Sequence, residues 1–101
     1  RLVGITSSVA TAPRAFWGVY GASKAAFEVM LSAYAEETRN VGRIKVAIID
    51  PGATATKMRQ KAYPGEDPAT LKSPETVGQR VTALLTEGYE TNHRERIKNP
   101  A

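Results

Sequence analysis

The chain has 101 residues, 42% of them hydrophobic and 24% charged, with a formal net charge of +4. That is room for one small domain or a piece of a larger one, and the composition is globular rather than disordered. The lack of cysteine excludes disulfides and thiolate metal sites, a single histidine argues against a protein-only zinc site, and the charge is spread as +2 on residues 1–56 and +2 on residues 57–101 rather than gathered into a basic, aromatic-bearing stripe for nucleic acid.

Residues 2–6, Leu-Val-Gly-Ile-Thr, read as a short strand buried on both faces that ends at Ser7-Ser8. Residues 9–19 contain Pro13 and Gly18, show no sustained period and read as a loop. From about residue 19 to residue 39 the pattern is helical: Ala22, Ala25, Ala26, Val29, Met30 and Ala33 supply an apolar face, and Phe27, Leu31, Tyr34 and Ala35 widen it. A helix apolar over so much of its circumference needs a second surface besides a sheet. Residues 44–49, Ile-Lys-Val-Ala-Ile-Ile, form a second strand, stopped by Asp50-Pro51-Gly52.

Residues 53–73 hold Pro64, Gly65 and Pro68 and read mainly as a long loop, with local helix around residues 56–62. Ser73-Pro74 starts another helix, with Ser as cap and Pro at the first position, and Val77, Val81, Leu84 and Leu85 line one side of it until Glu87-Gly88. The tail from residue 89 is polar, with a short strand at residues 95–98, and His93 reads as solvent-exposed and without a role. The order is the αβ alternation of a doubly wound fold, α/β with a parallel sheet. Two strands do not make a stable open sheet. With Arg1 rather than Met at the start, the pattern is that of part of a domain. No apolar run reaches 18 residues, so neither a membrane span nor a membrane partner is expected, and no signal peptide is visible.

One constellation can do chemistry. Tyr20 and Lys24 are four apart at the start of the long helix and so share a face, one turn apart. A lysine ammonium near a phenol favours the phenolate, and a helix N-terminus pushes the same way. Such a group can take a proton from an alcohol and return it to a ketone. Ser7 and Ser8 stand where a strand ends, the place where open sheets bind ligands, and a hydroxyl there can hold the reacting oxygen. The spacing alone is more often that of an ordinary surface helix and a serine turn.

Three motifs narrow this choice. Tyr20-Gly21-Ala22-Ser23-Lys24 resembles the Tyr-x-x-x-Lys active-site motif of the short-chain dehydrogenases/reductases. Upstream, residues 2–8 resemble the strand that carries the family's serine, and downstream Asp50-Pro51-Gly52-Ala53-Thr54-Ala55-Thr56 resembles its Pro-Gly-x-x-x-Thr segment. The three occur in the family's order, and the likeness covers residues 1–86. It implies the C-terminal half of a doubly wound, NAD(P)-binding Rossmann fold, with residues 1–101 as part of a single oxidoreductase domain. The glycine-rich fingerprint, the residue that selects NAD or NADP and the upstream asparagine are not in the sequence. The chain alone is therefore expected to be inactive and to hold no cofactor.

By the same likeness Tyr20 is the general acid/base. Lys24 binds the nicotinamide ribose. Ser7, thirteen residues before Tyr20 as in the family, is the first choice to hold the substrate oxygen, with Ser8 lending a second hydroxyl or capping the turn; Ser8, which opens the family-like Ser8-Val9-Ala10, is the alternative. Pro51, Gly52 and Thr56 contact the cofactor, NAD or NADP, with glycine allowing close backbone approach, whereas Thr54 caps rather than binds. Phe16 and Trp17 lie ahead of Tyr20, either as an apolar wall of the substrate cleft, with Trp17 in contact, or as packing residues. The resemblance implies a cytoplasmic oxidoreductase acting on a small-molecule carbonyl or secondary alcohol, and a homodimer or homotetramer joined through residues 20–39, with Phe27, Met30, Leu31 and Tyr34 at the contact. The alternative is an inactive relative serving as a binding or scaffold protein.

Overall fold

The computed structural model describes residues 1–99. In order they form β1 (Leu2–Ile5), a 3-10 turn (Ser8–Ala10), α1 (Gly18–Thr38), β2 (Val46–Asp50), α2 (Lys57–Ala62), a second 3-10 turn (Pro68–Thr70), α3 (Pro74–Glu87) and β3 (His93–Arg96). The strands make one parallel sheet in the order β1-β2-β3. Leu2 stands opposite Val46 and Ile5 opposite Ile49, while Ala47 stands opposite His93 and Asp50 opposite Arg96.

Side chains alternate across a strand, so β2 feeds two layers. Val46 and Ile48 meet Leu31 and Ala35 of α1, with Ile44 packed against them. Ala47 and Ile49 point the other way and are as fully buried. Burying each large aliphatic side chain stabilises the fold by about 1.5–3 kcal/mol. α3 lies on this second face, where Arg80 reaches Glu95 of β3, and Arg1 donates to the carbonyls of Leu85 and Thr86. Ser73 caps α3 by accepting from the Thr76 N–H, with Pro74 at the first helical position. Gly88, at φ 95°, takes the chain out of it.

α1 presents Gly21, Lys24, Glu28, Leu31 and Ala35 along one stripe at three- and four-residue spacing, and four of these five are buried. Leu31 therefore faces the sheet, where its Cδ1 fills the space that a side chain on Gly4 would need. This corrects the expectation that placed Leu31 on the outer face. Val29 and Met30 do stand out, about two-thirds exposed, and Phe27 and Tyr34 are partly exposed.

The tail is the second correction. Its strand is His93–Arg96 rather than residues 95–98, and it completes a three-stranded sheet. His93 is partly buried, with Nε2 3.1 Å from Glu95 and its ring stacked at 6.0 Å on Tyr89. β3 carries no apolar alternation because charges hold it. Arg94 faces α1 and bonds Glu28, while Glu95 faces α3 and bonds Arg80.

Candidate functional site

Parallel pairing brings the C-terminal ends of β1 and β2 to one edge of the sheet, joined by a bond from the Thr6 N–H to the Ile49 carbonyl at 2.9 Å. The segments that follow, Ser7-Ser8 and Pro51-Gly52, leave side by side. That is the edge where open α/β sheets hold ligands. α1 starts against it. A Cβ on Gly21 would lie 2.9 Å from the Val9 carbonyl oxygen, so only glycine lets the helix approach the 3-10 turn this closely.

Tyr20 is the third residue of α1 and remains partly exposed. One turn on, the Lys24 ammonium donates to the Ile5 carbonyl at 3.1 Å and lies 6.0 Å from the Tyr20 ring centroid. The lysine thus ties the tyrosine-bearing helix to the end of β1. Ser7 has extended backbone (φ −149°, ψ 150°) and makes no side-chain capping bond. Ser8 differs: its Oγ accepts from Arg14 Nη2 at 3.0 Å. The two serines, alike in sequence, are therefore set apart by a partner that spacing did not reveal.

Trp17 packs edge-on to Tyr20, ring centroids 5.8 Å apart, and stacks nearly parallel on Tyr63 at 6.2 Å. The Arg59 guanidinium covers the Tyr63 ring at 3.8 Å and pairs with Glu66 at 2.8 Å. That pairing holds the Glu66 carboxyl below its ordinary range. Phe16 stands apart from this array, fully exposed.

Gly52 adopts φ 68°. Its N–H donates to Asp50 Oδ1 at 2.9 Å, and a Cβ there would meet the Ile97 carbonyl oxygen and Lys72 Nζ, each at 3.0 Å. The chain's own packing thus demands glycine before any ligand is considered. Lys72 is nearly fully buried under this turn and donates to the Ala53 carbonyl at 2.9 Å. Burial pushes its ammonium down, opposed by the charge of Asp50. Thr56 caps α2, its Oγ1 accepting from the Arg59 N–H at 3.1 Å, while the Thr54 hydroxyl donates to the Gly52 carbonyl. The capping role expected of Thr54 falls to Thr56.

Sequence reasoning passed over Glu28. It lies one turn beyond Lys24, completing an i, i+4, i+8 series from Tyr20. That spacing was the available signal. Glu28 is buried, accepts from the Thr6 hydroxyl at 2.6 Å and from Arg94 Nη2 at 2.5 Å, and so fixes the residue before Ser7 to both α1 and β3. Among the described residues no group of three or more His, Cys, Asp or Glu could hold a metal, and no helix is long and apolar enough to cross a membrane.

Residues 1–67 match a family model described as short chain dehydrogenase. The chain is 48% identical over 73 residues to YciK, an oxidoreductase of Escherichia coli K12, covering 72% of this chain and 28% of the relative. It is similar to a short chain dehydrogenase structure from E. coli CFT073 complexed with NADPH, with TM-score 0.81 and 38% identity over 93% of this chain and 39% of that one. A short chain dehydrogenase structure from Shigella flexneri 2a complexed with NADP gives TM-score 0.82 and 38% identity at the same coverage of each chain. The chain thus spans well under half the length of these relatives.

Proposed function

The chain belongs to the short chain dehydrogenase family, and from that membership we propose that it forms the proton-transferring part of an oxidoreductase that interconverts a carbonyl and its alcohol with NADP(H). One observation carries the reading: the Lys24–Ile5 bond draws the helix that bears Tyr20 onto the strand end that leads into Ser7. The residues fit the nicotinamide end of such a cofactor. Lys24 offers ammonium hydrogens, Tyr20 a hydroxyl, and Pro51-Gly52 a turn at the same sheet edge. The glycine-rich turn that would hold the phosphates is not in this sequence. The two similar structures with NADPH and NADP support the phosphorylated cofactor over NAD.

When bound, the nicotinamide supplies or takes up the hydride. In reduction Tyr20 gives its hydroxyl proton to the carbonyl oxygen, and in oxidation it takes the proton back from the alcohol. Ser7, whose hydroxyl is not spent on capping, donates a hydrogen bond to that same oxygen. Trp17 walls the approach to Tyr20. The test is Tyr20→Phe in the full-length protein, with carbonyl turnover and NADPH fluorescence titration measured together. Turnover should fall by ~10²–10⁴ with NADPH affinity nearly unchanged. Retention of more than about a tenth of wild-type kcat overturns the assignment.

The outer face of α1 supports a further part of the reading, that the full-length protein is a homo-oligomer. Val29 and Met30 are more exposed than an isolated surface would favour, and they stand beside partly exposed Phe27 and Tyr34.

A further inference from the structure

The loop ahead of Tyr20 carries a positive charge that no described residue neutralises. Arg14 lies in the loop between the 3-10 turn and α1, exposed to solvent. Its guanidinium donates to Ser8 Oγ at 3.0 Å and to the Tyr63 hydroxyl at 3.4 Å. Both partners are neutral. Among the described residues no carboxylate lies within ion-pair distance of it, a condition it shares with Arg1 and Arg43 but not with the other five arginines; of the three it is the one that bonds the strand-end serine Ser8. Beside Tyr63 the charges of Arg59 and Glu66 cancel in their own ion pair. Lys24 is bonded only to a carbonyl, and α1 begins at Gly18 with no side-chain cap and no acidic residue in its first turn.

The placement is built rather than incidental. The Trp17 N–H closes a turn onto the Arg14 carbonyl at 3.2 Å. One end of that turn reaches the Tyr63 hydroxyl through Arg14, and the other stacks on the Tyr63 ring through Trp17. Phe16, inside the turn, holds φ 71° with its ring in solvent. A bulky residue in that region is strained, and such strain persists where the surrounding structure requires it. Arg14 is thereby fixed to the serine next to Ser7 and to the aromatic array that ends on Tyr20.

We propose that Arg14 is the specificity residue of this site and that the carbonyl substrate carries an anionic group, a carboxylate or a phosphate, which the Arg14 guanidinium binds while Tyr20 and Ser7 engage the carbonyl oxygen. This rests on the oxidoreductase reading above. A planar guanidinium with donors to spare accepts either anion through paired N–H bonds.

The experiment compares full-length wild type, Arg14→Gln and Arg14→Lys on two matched sets: keto acids against their methyl esters, and keto-sugar phosphates against the free sugars. The readout is the ratio of kcat/KM for the charged member over the neutral one. Wild type should favour the anion by at least tenfold in one set, and which set shows it tells carboxylate from phosphate. Arg14→Gln should cut that ratio at least tenfold, chiefly through KM, and Arg14→Lys should restore part of it. A merely structural role for Arg14 would lower both members alike and leave the ratio unmoved, which overturns the inference while the oxidoreductase reading stands. If no carbonyl is turned over, inorganic phosphate and acetate are titrated against each protein at saturating NADPH and followed by tryptophan fluorescence. Saturation of wild type that Arg14→Gln abolishes supports the anion site without the activity. Saturation that Arg14→Gln retains, or none in wild type, overturns it.

Discussion

Phe16 holds a backbone φ of 71° while its ring makes no use of burial. A left-handed conformation costs an L-residue about 1–2 kcal/mol, and glycine escapes that cost but loses about 0.5–1 kcal/mol through the freedom of the unfolded chain. Phe16→Gly should therefore leave the full-length protein as stable as wild type or up to about 1.5 kcal/mol more stable, read from urea midpoints. A loss above about 1 kcal/mol would mean that the ring has a partner. At this scale the motif residues Tyr20, Lys24 and Ser7 were legible in the sequence because their spacing is fixed by one helix and one strand end. Arg14, Tyr63 and Lys72 were not. Their partners lie 49 residues away in the Arg14–Tyr63 bond and 19 in the Lys72–Ala53 bond, and no local pattern reports that.

β3 shows why an element can hide in a sequence. His-Arg-Glu-Arg has no apolar alternation, so the pattern places the strand two residues late, at residues 95–98, and hides its true bounds. Its hydrogen bonds to β2 are set instead by charges on both helices: Glu28 on one face and Arg80 on the other. α3, by contrast, was readable from Ser73-Pro74, because a cap and a first-turn proline act within four residues. The Arg80 guanidinium, and to a lesser degree His93, hold the Glu95 carboxyl down to about 2. A carboxyl depressed in the folded state contributes its stability in full above its ordinary value near 4.5 and loses it as the pH falls toward about 2. The gap in unfolding free energy between wild type and Glu95→Gln should be open above about pH 4.5 and close as the pH falls through that window. Its full size should be about 1–3 kcal/mol, since Arg80 keeps part of its solvent. A gap independent of pH would assign the stabilisation to shape rather than charge.

At the scale of the molecule, α1 divides its apolar surface between two tasks. Leu31 and Ala35 go to the sheet, and Val29 and Met30 remain outside. The width of the apolar pattern was legible in the sequence, but which residues served which task was not, because a broad face does not mark its own centre. Met30→Glu in the full-length protein should shift sedimentation from an oligomer toward the monomer at tens of micromolar, with the sheet-facing core undisturbed. Wild type sedimenting as a clean monomer would remove the assembly.

The two borders of the sheet are chemically unlike. β3 ends it with a row of alternating charges, of which Arg94 and Arg96 face outward enough to remain largely solvated. β1 ends it with Leu2 and Ile5, each more than a third exposed, beside a backbone paired on one side only. Charged side chains on a border strand repel an incoming backbone, while an apolar border invites one. The sheet therefore has a growing end and a sealed end. By that chemistry a strand supplied by a neighbour, from the same polypeptide or another, is expected beside β1 before β3.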